Sequence, residues 1–252
     1  MRSPRGNNEI DLGGTPTPPY RCGVPTLKHK RSILRRRSSG GLCILGATAA
    51  GRVILEHFRA TGREVDCFVD PVGKFRGDSW AGLPVVKLKG QGDLPRLRRE
   101  GIREFAIVSG AATPRKRLFE ACLRAGLRPA RLIHPTATIL ERAHIGRGCV
   151  VSARALIGVG CLVADNSIVG MGSILDHDSR IGRHATVGAG VVIGSEAIIE
   201  ECVFVGDGVT ILPGRRIGRG AIVVSGSVVT QDIPEGAIAA GVPTRLIRRD
   251  RK

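Results

Sequence analysis

Residues 176–178 read Asp-His-Asp, a histidine held between two carboxylates. An unperturbed imidazole titrates near ~6.5, so it can take a proton from a nucleophile and return it to a leaving group at neutral pH. A carboxylate beside it holds one ring nitrogen as a donor and favours the imidazolium as it forms. His177 is therefore the candidate general base and Asp178 its orienting partner. No serine or cysteine stands beside a second base, which points to proton removal from an attacking nucleophile without a covalent enzyme intermediate. Spacing alone also fits a histidine that merely occupies a solvated turn.

The elements that must hold this triplet are set by a period of six. From Ile133 to Val229 every sixth residue is aliphatic, at all seventeen positions, and Leu175 keeps that register directly before the triplet. The fifth residue of each unit is small or Val except at Arg215 and Ile233, and the second is Gly in eight units. Neither an α-helix nor a hairpin sheet has such a period. The pattern predicts a solenoid in which three units close a triangular coil. One large and one small residue per unit fill its interior, and Gly is expected to relieve the backbone where the chain turns. Cys149 and Cys161 fall at the small position and are expected to pack inside.

Ahead of the repeat, the apolar run LCILG at 42–46 precedes a stretch with helical apolar spacing at Val53, Ile54 and Phe58. A second run, EVDCFVD, ends in Asp70; a Gly-rich loop, a short helix near 93–100, the run FAIVS at 105–109 and the helical RKRLFEACLRAG follow. Runs alternating with helices predict a small parallel α/β unit over 41–130. Its first turn, GATAAG from Gly46 to Gly51, carries Thr48 where the dinucleotide fingerprint has its middle glycine. A helix N-terminus there can still receive a phosphate, and an acid closing the second strand can reach ribose hydroxyls. Gly46, Thr48 and Asp70 are thus candidates for binding a nucleotide, with a plain tight turn and a surface aspartate as the alternative.

The chain has 252 residues and a net charge of +17, of which +7 falls in residues 1–40, +7 in 41–130 and +3 in 131–252. A basic tail and first domain suit an anionic small molecule, an anionic surface or nucleic acid. With one Trp, one Tyr and six Phe there is little to stack on single strands, which argues against nucleic acid. No apolar run reaches the roughly 18 to 20 residues of a membrane span. Residues 1–40 combine GTPTPP with KHKRSILRRRSSG and lack a signal-peptide core, so they read as a mobile tail, with a transit peptide as a lesser alternative. Seven cysteines without a Cys-x-x-Cys pair suit reduced thiols in the cytoplasm.

A small Rossmann-like unit followed directly by hexapeptide coils resembles the hexapeptide-repeat acyltransferases, and within them the sialic acid O-acetyltransferase and nucleotide-aminosugar N-acetyltransferase family. The resemblance covers roughly residues 41–248, and D176-H177-D178 ahead of Ile181-Gly182 matches the family motif that carries the catalytic histidine. It implies an α/β Rossmann-like domain at 41–130 that holds the sugar nucleotide, then an all-β left-handed parallel β-helix at 131–252 that holds acetyl-CoA. It implies His177 as base and Asp178 as orienter. The family's second histidine, nine residues beyond the base, is Thr186 here, with His184 two positions earlier; both are carried as substrate-binding candidates. The family's frequent Asn seven residues before the base is Gly170. Coenzyme A in the family lies along later coils against small residues, which nominates Gly206, and Arg245 or Arg248 to meet its phosphates, with a solvated basic C-terminus as the alternative for the two arginines. DIPEGAIAAGVPTRLIR resembles the family's closing segment, in which Gly-Val-Pro lets the chain leave the last coil.

The activity the resemblance implies is N-acetylation of an amino group on a nucleotide-linked aminosugar for surface glycan synthesis, by a cytoplasmic homotrimer. O-acetylation of a sialic acid or another sugar is the alternative within enzymes, and a non-catalytic scaffold or anion-binding solenoid the alternative outside them. His134, His144 and His184 invite comparison with three-histidine zinc sites on similar solenoids, but no matching His-x4-His pair is present and no metal is expected.

Overall fold

The computed structural model describes residues 40–249; apart from Gly40, the basic tail read over residues 1–40 lies outside them. From Leu132 the chain winds through two-residue strands joined by short turns, as in Ile168–Val169, Ile174–Leu175 and Arg180–Ile181. Each strand pairs in parallel with the one a full coil further on: Val150 with Ile168, Leu156 with Ile174, Leu162 with Arg180, an offset of 18 residues every time. The coils therefore stack three sheets around one interior. The six-step aliphatic column is buried there from Ile145 to Val229, with Ile133 and Ile139 half-buried against its first coil. Each large aliphatic contributes about 1.5–3 kcal/mol by burial. Leu175, fully buried beneath the Asp-His-Asp turn, would cost about 2–5 kcal/mol if cut to Ala.

The glycines act differently from expectation. The residue that turns in the left-handed region is the fourth of the unit, filled by Gly in many coils but also by Asn166, Asp178 and His184 at φ +58°, +57° and +61°. The second-position glycines are needed because the next coil lies directly on them. A Cβ on Gly182 would meet the backbone of Glu200 and Glu201, 18 residues on. Close stacking of backbones, rather than turn strain, selects Gly at that position.

The α/β unit is a six-stranded sheet of β1 (Gly41–Leu45), β2 (Cys67–Asp70), β3 (Ser79–Trp80), β4 (Leu83–Lys87), β5 (Ile102–Ile107) and β6 (Arg128–Pro129). Their spatial order is β3-β4-β2-β1-β5-β6, parallel except for the β3–β4 hairpin, which lies within the stretch expected as a Gly-rich loop. Three helices connect the strands: α1 (Ala49–Ala60), α2 (Leu94–Arg99) and α3 (Ala112–Arg124). In α1 the buried residues are Gly51, Ile54, Leu55, His57 and Phe58. Val53, expected to face inward, is exposed, because the i, i+3, i+4, i+7 face leaves it on the far side. β1 pairs with β2 on one side and β5 on the other, so the strand order reverses beside it. In open α/β sheets the carboxyl ends of the strands at such a reversal form the ligand crevice. Here Gly46, Asp70 and Val108 close those ends.

The two structures share packing. Leu132 and Val150 of the first coils are buried with Phe58 and Phe68 of the sheet unit. At the far end, Ala237–Ala240 continues the solenoid in parallel, then the chain turns back and Arg245–Arg249 pairs with it antiparallel. The chain leaves the parallel winding at Gly-Val-Pro and folds back, with Thr244 N–H bonded to the Val228 carbonyl at 2.9 Å just ahead of the return strand.

Candidate active site

His177 and Asp178 occupy the turn between Ile174–Leu175 and Arg180–Ile181, with Leu175 facing the core and both turn side chains facing out, 52% and 64% exposed. The coils before and after fix this turn. Asp178 N–H donates to the Val159 carbonyl at 2.9 Å, and Glu196 N–H donates to the His177 carbonyl at 3.0 Å. Asp176 Oδ1 accepts the His177 backbone N–H at 2.8 Å. Asp178 takes the left-handed conformation that aspartate tolerates better than most residues.

His177 Nδ1 stands 3.1 Å from Asp178 Oδ2. An ionised carboxylate only accepts, so Nδ1 carries the hydrogen and Nε2 keeps its lone pair toward solvent. The Asp178 hydrogen bond is the main cause of a raised imidazole pKa; desolvation opposes it, and the charges of Asp176, Asp178 and Glu196 reinforce it. Two residues the sequence reading missed shape the bed of this pair. A Cβ on Gly160 would run into the Asp178 carboxylate, and one on Gly158 would come within 2.9 Å of the His177 nitrogen. Their signal was the 18-residue offset, which sets the glycines of IGVGCL beneath the triplet. The arrangement can remove a proton at Nε2 from a nucleophile approaching the open corner.

A family model described as bacterial transferase hexapeptide (six repeats) matches residues 160–195. A comparison with curated proteins gives no match. Among solved structures, PerB from Caulobacter crescentus, in complex with CoA and GDP-perosamine, is 30% identical, with a TM-score of 0.69 over 82% of this chain and 97% of its own. The acetyltransferase domain of PglB from Neisseria gonorrhoeae FA1090 is 28% identical, with a TM-score of 0.74 over 82% of this chain and 99% of its own. The same domain in complex with acetyl coenzyme A is also similar, at 28% identity and a TM-score of 0.66 over 82% and 98%.

The chain belongs to the sialic acid O-acetyltransferase and nucleotide-aminosugar N-acetyltransferase family of hexapeptide-repeat acyltransferases. It is an acyltransferase, and its solenoid is a left-handed parallel β-helix preceded by an α/β unit.

Within this family member, the other candidate residues fall into separate places. Gly46, at φ +124°, ends β1 against the Val108 carbonyl. Thr48 caps α1, its hydroxyl accepting Gly51 N–H at 3.2 Å, and its carbonyl accepts Trp80 Nε1–H at 3.1 Å. Gly51 is itself required, since a Cβ there would collide with the Gly46 carbonyl; this is the close helix-to-strand packing the fingerprint's last glycine permits. Asp70 is buried rather than at the surface, and its two oxygens accept Val72 N–H at 3.1 Å and Phe75 N–H at 2.6 Å. It shapes its own loop at the crevice.

His184 and Thr186 lie at a different corner of the β-helix from His177, beneath α3. His184 is 1% exposed; its Nδ1 is 2.8 Å from Asn166 Nδ2 and its ring stacks edgewise on Phe119 at 5.7 Å. Burial, with Arg183 second, pushes its pKa down to about 4, so it is neutral at working pH. Asn166 then donates and Nδ1 accepts. Thr186 Oγ1 accepts from Arg115 Nη1 at 2.9 Å and donates to the Gly110 carbonyl at 3.2 Å. Arg115, which the sequence reading passed over, is as buried as His184; burial lowers its pKa to about 10, which leaves it charged. A Cβ on Gly206 would press into Ser225 of the next coil. Arg245 is exposed on the return strand, and Arg248 stands opposite Ile238 in the same hairpin.

Cys149 and Cys161 pack inside the solenoid, their thiols donating to the Ala164 carbonyl at 3.0 Å and the Asp176 carbonyl at 2.9 Å. Burial pushes the Cys149 thiol up to about 11, far from a nucleophilic thiolate. Among the described residues no group of three or more His, Cys, Asp or Glu is placed to hold a metal, and no helix is long and apolar enough to cross a membrane.

Proposed function

We propose that this enzyme transfers the acetyl group of acetyl-CoA to an amino group on a nucleotide-linked aminosugar. The observation that carries the reading is the His177–Asp178 pair at 3.1 Å on an open corner of the β-helix, in a chain that matches nearly the whole of a protein bound to CoA and GDP-perosamine. His177 Nε2 takes the proton that the amine loses as its nitrogen attacks the thioester carbonyl carbon. The same proton returns to the departing sulfur, leaving an amide, free thiol and neutral imidazole. Asp178 holds the ring and stabilises its charged form between the two transfers.

On this reading the nucleotide lies at the crevice closed by Gly46, Thr48 and the Asp70 loop, and coenzyme A runs along the later coils past Gly206 toward Arg245 and Arg248. The exposed aliphatics Ile174 and Val192 beside the His177 turn support association of neighbouring solenoids into a homotrimer. The cysteines among the described residues, free and mostly buried, and the donor suit the cytoplasm. The test is a panel of nucleotide aminosugars and hydroxyl-bearing sugars with acetyl-CoA, followed by thiol release. Turnover is expected with amines; turnover restricted to hydroxyl acceptors sinks the N-acetyl reading. Light scattering checks the trimer.

A further inference from the structure

Arg115 lies near the start of α3 with its guanidinium enclosed and no carboxylate partner among the described residues. A buried cation left to backbone dipoles is costly, and an apolar side chain of similar size would pack there more cheaply. What the guanidinium offers in return is a planar fork that reaches three segments at once. Nη1 donates to the Ser109 carbonyl at 2.5 Å and makes a longer contact to the Gly110 carbonyl at 3.4 Å. Nη2 donates to the His184 carbonyl at 2.5 Å and the Ala185 carbonyl at 3.0 Å, and Nε to the Asn166 carbonyl at 3.3 Å. Thr186 closes the circuit by accepting from Arg115 and donating to Gly110.

Ser109 and Gly110 form the loop after β5, at the strand-order reversal where the crevice opens. The other three acceptor carbonyls belong to the β-helix that carries His177. We propose that Arg115 is a positioning residue that sets the nucleotide-sugar loop against the β-helix, and so places the acceptor amine relative to the catalytic corner. This rests on the proposed reading of the crevice as the nucleotide-sugar site. Lys116, next along α3, pairs with Glu201 at 2.6 Å near the surface and supplies the control, since partly exposed ion pairs hold little.

The experiment compares R115M, R115K and K116M using an aminosugar nucleotide accepted by the wild type. For R115M the expected result is at least a tenfold rise in KM for the sugar nucleotide, with KM for acetyl-CoA within twofold and the acid limb of kcat unmoved. R115K keeps the charge without the fork and should rescue less than half of that loss; if R115M fails to fold, R115K alone decides on the same KM criterion. Amide exchange at residues 109–112, read without substrate, should quicken at least tenfold in R115M and stay unchanged in K116M. A fall in active enzyme with both KM values unchanged, or equal effects in K116M and R115M, overturns the proposal. If the wild type takes no nucleotide aminosugar, the functional reading fails on its own, while unchanged exchange at 109–112 would separately remove the clamp.

Discussion

His177 and His184 sit seven residues apart in consecutive units of one repeat, and their environments are opposite. His177 faces solvent, bonded to Asp178, with its pKa raised. His184 is covered by α3, stacked on Phe119 and bonded to a neutral amide, with its pKa lowered to about 4. The coil backbone is nearly the same at both corners. The place in the turn, third for His177 and fourth for His184, and what lies against that corner together decide whether an imidazole is a base in water or a neutral spacer in a joint.

The comparison breaks most readily at His177. H177A should lower kcat/KM by about 10²–10⁴-fold, the usual span for a general base, with unfolding unchanged; H184A should instead lower thermal stability and leave the pH profile of turnover alone. Thiol release and a thermal melt on both variants check this.

D178N is expected to cost roughly 10–100-fold in kcat/KM, less than the ~10²–10⁴-fold of losing the base itself. It should also move the acid limb. Because Asp178 raises the His177 pKa, the base is charged and inactive further up the pH scale in the wild type, so activity rises through a limb above ~6.5. In D178N that limb should shift to lower pH even as the plateau falls. A limb that stays in place would separate Asp178 from the base.

G160A tests the bed of the pair. Gly160 turns at φ +68° beneath Asp178, so the added methyl both strains the turn and displaces the carboxylate; activity should fall by about tenfold or less, at a backbone cost of ~1 kcal/mol. Equal activity would mean that the carboxylate position is unimportant.

The smallest effect belongs to the buried histidine. Its folded pKa lies below that of the unfolded chain, so the unfolded state binds the proton first as pH drops. The stability it contributes is complete above the unfolded value of ~6.5 and is lost as pH falls toward the folded value near 4. H184Q, neutral throughout, should flatten the stability slope in that window, as read by urea unfolding at several pH values.

Much of this was legible in advance. The positions of α2, α3 and the strand-ending Asp70 followed from local apolar runs, and the triplet at 177 followed from residue type and register. The role of the second-position glycines was misread, because the contact that demands them lies 18 residues away in the next coil. The Gly158–Gly160 bed was missed for the same reason. Arg115 gave no signal at all: the first cation of the run Arg115-Lys116-Arg117 looks like a solvated charge until α3 is laid on the corner at His184.

The sequence by itself determined the solenoid, since a period of six with one large and one small inward residue per unit leaves no other way to bury seventeen aliphatics in a row. It also determined that the triplet interrupts only outward positions, because Leu175 keeps the inward register. Which corner stays open, which histidine titrates, and how the crevice is tied to the β-helix were decided only by tertiary structure. Those depend on packing between residues as distant as Arg115 and Thr186, and no local pattern encodes a contact over that separation.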